Sequence, residues 1–302
     1  MHKHLQRDFV GYGQNPPHAA WPNEARVAVN FVLNYEEGSE YAIDDGDGRS
    51  EKALTEVLAP RVPEGARDLA AESMYEYGSR AGVWRVARQF TERGLPLTVF
   101  GCALAFERNP AVAALVRDSG WDVCGHGQRW VEHYLMEREA ERAAIRAAVA
   151  SMTATVGRPL GWYCRYAASI NTRKILMEEG GFLYDSDSYA DDLPYWVDVD
   201  GVPQLVVPYT MVTNDAKILA NAVSSGEEFF SMLRDAFDVL RDEGRTHPKM
   251  MSVGIHPRIL GQPARIAGLA RFLDHVTAAS DAWICGRADI ARHWRERFPP
   301  GG

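Results

Sequence analysis

The chain has few of the features that staple or anchor a fold from outside. It carries four cysteines in 302 residues, Cys102, Cys124, Cys164 and Cys285. They are widely separated and show no Cys-x-x-Cys spacing, so neither a disulfide framework nor a structural zinc site is indicated. Reduced thiols are expected. No apolar run approaches a membrane span, and Met1–Asp8 lacks the apolar stretch of a signal peptide, so the expectation is a cytoplasmic protein with no membrane partner. Positive charge is also in deficit, with 33 Lys and Arg against 41 Asp and Glu and a net charge of -8. Such a surface does not attract a polyanion, which disfavours nucleic acid as a partner. There is no internal repeat and no low-complexity tract.

The chain has ample material for a core. At 46% hydrophobic residues, it is long enough to bury a large interior, and one domain over residues 1–302 is expected. Residues 26 to 33 form an apolar, β-branched run suited to a buried strand. Strand-like runs recur at 95–100, 121–124, 161–164, 182–185, 204–209, 249–255 and 282–285. Helical spacing lies between most of them, at 79–93, 110–119, 136–155, 171–179, 227–242 and 264–278. This alternation predicts an α/β fold, a (β/α) barrel of about seven to eight strands. Asp44 to Arg49 and the 191–203 region read as long loops, and Tyr75 to Arg80 as a loop suited to a lid or a subunit contact.

Several of these runs stop at an ionisable residue. Glu36 and Glu37 follow the first strand, His126 follows the strand at 121–124, and His256 follows the strand at 249–255. In a parallel barrel such ends converge on one face. Paired carboxylates beside histidines suit hydrolysis, which needs a base to activate water and an acid to protonate a leaving group. One of the glutamates is the expected base, each carboxylate raising the other's pKa towards working pH. Adjacent strand residues face opposite ways, so one glutamate should point inward. Glu36 is the choice, with Glu37 the alternate. His126 and His256 are the other catalytic candidates, with His256 favoured as the acid. Trp130, Tyr163, Arg165 and Arg258 are candidates for binding substrate, the guanidinium groups through paired donors. The plainer alternatives are packing for Trp130 and Tyr163, and salt bridges to Asp185 or Asp187 for the arginines. His133, His247 and His275 are read as structural or surface residues, and Cys164 as a pocket-lining thiol at most.

The motifs fall in order over nearly the whole chain: Arg7 to Gly13, Asn34-Tyr35-Glu36-Glu37-Gly38, Tyr75 to Gly82, Tyr184-Asp185-Ser186-Asp187, Asp191 to Tyr195, and Gly261 to Arg265. In these the chain resembles the polysaccharide deacetylase superfamily, and within it the bacterial metal-independent allantoinases. That resemblance implies a distorted barrel of the polysaccharide deacetylase type, often a homotetramer. It also implies hydrolysis of a C–N amide bond in a small cyclic ureide, with allantoin to allantoate in purine catabolism as the first candidate. The segment Cys164-Arg165-Tyr166 departs from those allantoinases and leaves the substrate open.

The resemblance also frames the cofactor question. Metal-dependent members use paired aspartates after the first strand and a His-x-x-x-His. Here the pair is Glu36-Glu37, and Trp130 stands four residues after His126, offering no lone pair to a cation. No cofactor is therefore expected. A divalent ion such as Zn²⁺, if bound, would take Glu36 or Glu37 and His126. Two other functions compete with ring opening: a metal-dependent N-deacetylase acting on a saccharide of the peptidoglycan or chitin type, and a ligand-binding barrel without turnover.

Overall fold

A computed structural model describes residues 7–57, 59–220 and 222–300. Residues 1–6, most of the N-terminal segment read above as lacking a signal peptide, lie outside these. Among the described residues nine strands form one sheet: β1 (Val27–Tyr35), β2 (Thr98–Gly101), β3 (Asp122–Gly125), β4 (Gly161–Trp162), β5 (Tyr184–Asp185), β6 (Tyr195–Val199), β7 (Val202–Val206), β8 (Lys249–Ile255) and β9 (Ala282–Ile284). The order is β6-β7-β5-β4-β3-β2-β1-β8, with β9 beside the first half of β1. All pairings are parallel except β6 with β7. The sheet curls into a distorted α/β barrel. It is completed between β7 and β8 by the segment 207–215, bridged to β8 at Asn214 and Gly254.

Two readings need correction. The 191–203 region is not simply a loop, because β6 turns directly into β7. Asp200 and Gly201 both take positive φ, 54° and 89°, the conformation of a tight hairpin that an Asp-Gly pair favours. Tyr75 to Arg80 is helical too: the helix Leu69–Tyr77 runs through one wide turn, Gly78–Gly82, into the helix Val83–Thr91. Tyr75 is buried against Trp130 and donates to the Ala53 carbonyl, so it is a core residue and neither lid nor subunit contact.

β1 shows how the sequence builds the site. It is buried on both faces, as expected for a central parallel strand. Val27, Val29, Phe31, Leu33 and Tyr35 pack into the helical layer, whereas Ala28 and Val32 belong to the barrel interior. Asn30 and Asn34 share that inward parity and spend their amides on Met251, Ile255 and Tyr209. The same alternation holds on β8, where Met251, Val253 and Ile255 face the helices. Met250 and Ser252 face inward with Gly254, whose absent Cβ leaves room for Asn214 and Tyr209.

One fully buried arginine ties this interior together. Arg287 donates to Asn30, Ser186, Ser252 and the carbonyls of Val207 and Pro208. It thereby links β1, β8 and the segment that completes the barrel. Arg287→Met should lower stability by about 3–5 kcal/mol, because these acceptors lose their donor where water cannot replace it. A shift in the urea midpoint at unchanged m-value is the expected signature, and a midpoint within experimental error of the parent would contradict this role.

Candidate active site

The inward parity of β1, β3 and β8 runs past their ends. Glu36, His126 and His256 each lie two residues beyond an inward position, and all three line a cavity of about 310 Å³ at the C-terminal end of the sheet. Glu36 Oε1 stands 3.2 Å from His126 Nε2 and 3.6 Å from His256 Nε2. Tyr163, Trp130 and Arg165 line the same space.

Glu37 and Arg258 do not line it. Glu37 keeps the outward parity of Tyr35 and lies against Gly78, where an added Cβ would fall 2.4 Å from its carboxylate. Arg258 is buried behind the glutamates, giving Nη2 to Glu36 Oε2 at 2.7 Å, Nη1 to Glu37 Oε1 at 3.1 Å and Nε to the Leu54 carbonyl. Glu37 as a catalytic group and Arg258 as a substrate contact are therefore corrected: one is turned away by strand alternation, and the other has its paired donors occupied. The alternative salt bridges to Asp185 or Asp187 are not made by these arginines either. Arg165 pairs with Glu51, while Asp185 pairs with Arg173.

The electrostatics also differ from the sequence reading. Two adjacent carboxylates do not both rise in pKa here. Burial pushes Glu36 up, but the Arg258 guanidinium and the His256 imidazole outweigh it and hold its carboxyl well below the usual range. Glu37 moves the other way, raised by burial and by the charge on Glu36 against a partial offset from Arg258. The group facing the cavity is thus the one held more firmly in its ionised form.

The two histidines are set by their partners. His126 Nδ1 lies 2.7 Å from the Tyr163 carbonyl, which can only accept. Trp130 Nε1, which can only donate, points at His126 Nε2 from 3.1 Å. A proton on Nδ1 satisfies the Tyr163 carbonyl, and Nε2 then meets the Trp130 N–H with Glu36 Oε1 beside it. His256 is arranged in the opposite sense. Its Nδ1 donates to Asp215 Oδ1 at 2.6 Å. Burial would lower its pKa, but Asp215 and Glu36 outweigh that and raise it to about 9. It is an imidazolium at neutral pH. Its Nε2–H, too far from Glu36 for a hydrogen bond, remains available to a ligand.

Asp215 is the member of the site that the sequence reading missed. It is fully buried, and its Oδ2 accepts from the backbone of His256 and Leu260. It lies in the segment completing the barrel and follows no strand with a recognisable period. The only local signal is the Asn214-Asp215 pair before the short helix Ala216–Leu219. Tyr209 and Glu132 also line the cavity. His133 instead sits near Glu141, with Nδ1 3.4 Å from its carboxylate, and His275 contacts Asp238, consistent with structural roles. Cys164 is buried and takes a hydrogen bond from Trp162.

A divalent ion does not fit this donor set. Trp130 occupies the place of a second histidine and directs an N–H at the His126 lone pair that a metal would need. The Arg258 guanidinium already supplies a cation to both glutamates. Among the described residues no group of three or more His, Cys, Asp or Glu side chains is arranged to hold a metal. Nor is any helix among them long and apolar enough to cross a membrane.

Comparison with known proteins agrees with this architecture. The profile of the polysaccharide deacetylase family matches residues 67–180. A Schizosaccharomyces pombe protein named "Putative polysaccharide deacetylase" is 36% identical over 314 residues, spanning 97% of this chain and 98% of the relative. Among solved structures, a probable polysaccharide deacetylase from Pseudomonas aeruginosa PAO1 is 48% identical with a TM-score of 0.93, covering 97% of this chain and 99% of that one. PuuE allantoinase is 47% identical, also with a TM-score of 0.93, covering 97% and 98%. Long relatives well above 30% identity, sharing the barrel over almost their full length, establish that this chain belongs to the polysaccharide deacetylase family.

Proposed function

We propose that the protein hydrolyses a C–N bond in a small cyclic ureide, with allantoin to allantoate as the first reaction to test. The observation that carries this reading is an ionised glutamate, Glu36, held between His126 and the imidazolium of His256 in a cavity of about 310 Å³. That size suits a small ring better than an extended glycan, which needs an open groove. The likeness to PuuE allantoinase supports the same substrate class.

The chemistry follows from the three side chains. Glu36 takes a proton from a water as its oxygen adds to the ring carbonyl carbon. The proton gained on Oε1 stays on Glu36 until His256, neutral once the C–N bond has broken, takes it back across the 3.6 Å between them. His256 donates its Nε2–H first to the developing oxyanion and then to the departing nitrogen as the C–N bond breaks. A carboxylate with so low a pKa is a weak base, which limits the bonds it can open. In a cyclic ureide the leaving nitrogen is attached to a second carbonyl that delocalises its charge, so the demand on acid and base is smaller than for an ordinary acetamide. An N-acetyl saccharide lacks that advantage, and the donor set offers no place for the Lewis acid that could compensate.

Two outcomes test this reading. Protein stripped with a strong chelator and verified as metal-free should still open allantoin, and Glu36→Gln should lower kcat by about 10²–10⁴-fold. No ring opening by the stripped protein, with N-deacetylation appearing on addition of Zn²⁺, would replace this reading with the saccharide one. The second outcome is a pH profile. Activity requires protonated His256, so it should fall as pH rises through about 9. Asp215→Asn removes the charge that raises this pKa and should move the alkaline limb down towards the ordinary histidine value of 6.5. An unmoved limb would remove His256 as the acid. The same raised pKa contributes to folding stability below the unfolded value, and that contribution is lost as pH rises through about 9.

A further inference from the structure

Arg165 lines the cavity with only part of its guanidinium committed. Its end-on fork is closed by Glu51, through Nη1 at 2.6 Å and Nη2 at 3.0 Å, and Nη1 also donates to the Trp130 carbonyl at 2.8 Å. The group stacks on the Trp130 ring, 3.6 Å from its centroid. Five N–H donors less these three leave Nε–H and the second Nη2–H, which lie side by side on the guanidinium edge. Among the described residues neither makes a hydrogen bond. The plane and direction of this open edge are fixed by Glu51 and Trp130, so little entropy is lost when a ligand accepts from it.

Beside the edge stands an acceptor. Glu132 also lines the cavity. Its Oε2 is taken by the Tyr41 hydroxyl and by Arg49 Nη2. Its Oε1 is 3.7 Å from Arg165 Nε, beyond hydrogen-bond distance. Two parallel donors next to a carboxylate acceptor match a group that presents a carbonyl oxygen and an N–H together. They do not match a carboxylate ligand. Glu51 already neutralises Arg165, and a second anion would lie against Glu132.

We propose that Arg165 and Glu132 form a recognition site for a terminal urea or carboxamide on the substrate, so that the preferred cyclic ureide carries such a tail. This rests on the ring-opening reading above and assigns the two side chains that select for the ureido tail of a substrate such as allantoin over a bare ring. The carbonyl of the tail accepts from Nε–H and Nη2–H of Arg165, and its NH₂ donates to Glu132 Oε1. Trp130 joins the recognition site to the reacting one, because its ring carries Arg165 and its N–H is directed at His126.

The test is calorimetric titration of Glu36→Gln protein, in which turnover is suppressed, with allantoin, unsubstituted hydantoin and hydantoin-5-acetic acid. Allantoin should bind about 10- to 100-fold more tightly than hydantoin, and the acid no better than hydantoin. Adding Arg165→Met or Glu132→Gln should remove most of that preference. Arg165→Met leaves Glu51 without its partner. Glu132→Gln, at a side chain that keeps 16% exposure, carries the test on its own if the first variant does not fold. Equal affinity for allantoin and hydantoin, tighter binding of the acid, or a preference that survives both substitutions would overturn the proposal, as would no binding of any of the three. If the preference is present and the parent protein opens neither ring, the recognition site stands and the reaction assigned above falls.

Discussion

Two buried carboxylates share one guanidinium at the end of β1, and the rest of the site depends on that arrangement. Glu36 and Glu37 are both essentially inaccessible to solvent, where an uncompensated pair of negative charges would not persist. Arg258 meets one oxygen of each from behind. It leaves Glu36 Oε1 facing the cavity and keeps that group ionised despite its burial. The cation that makes the pair tolerable is thus a side chain of the same barrel. It comes from the helix Pro257–Leu260 that begins directly after His256, so that imidazole and the internal cation arrive on one short stretch of backbone.

Around this pair the interior is polar in a graded way. At one level Arg287 is held entirely by neutral acceptors and ties three parts of the barrel together. Tyr209 lies above it, 5.6 Å from its guanidinium carbon, and accepts from Asn34 and Asn214. At the mouth the charges are paired: Asp215 with His256, Glu51 with Arg165, and Glu36 and Glu37 with Arg258. These pairs are less a source of stability than a means of fixing direction. Each leaves one defined atom or edge outside its pair, namely Glu36 Oε1, His256 Nε2–H and the outer edge of Arg165.

Trp130 shows how one residue type changes the chemistry of an inherited scaffold. An indole cannot accept a hydrogen bond through its nitrogen, so at this position it caps the His126 lone pair and prevents the ring from serving as an open ligand. It also offers a flat apolar face on which Arg165 is stacked. The indole that occupies the His126 nitrogen therefore also forms a flat wall of the cavity.

Much of this was legible in the chain. Apolar runs ending at Glu36, His126 and His256 placed these side chains at one end of the sheet, because parallel strands have to bring such ends together, and they line one cavity. Trp130 marked the missing metal ligand, because indole has no donor to give a cation. Strand alternation required the two glutamates to diverge, and the polar residues Asn30 and Asn34, in step with Glu36, identify the inward parity once the barrel interior is known to be polar. Three things required the tertiary structure. Asp215 lies in a segment with no periodicity, and its pairing with His256 joins residues 41 positions apart. The split in carboxylate pKa depends on Arg258, whose approach to Glu36 crosses 222 positions. Arg165 and Arg258 read alike in sequence, as guanidinium groups near strand ends, yet one lines the cavity with donors to spare and the other is spent behind it. The sequence sets which groups exist and which way a strand turns them, whereas the charge they carry and the atoms they leave free follow from what distant segments bring alongside, since electrostatic interactions act through space and not along the chain.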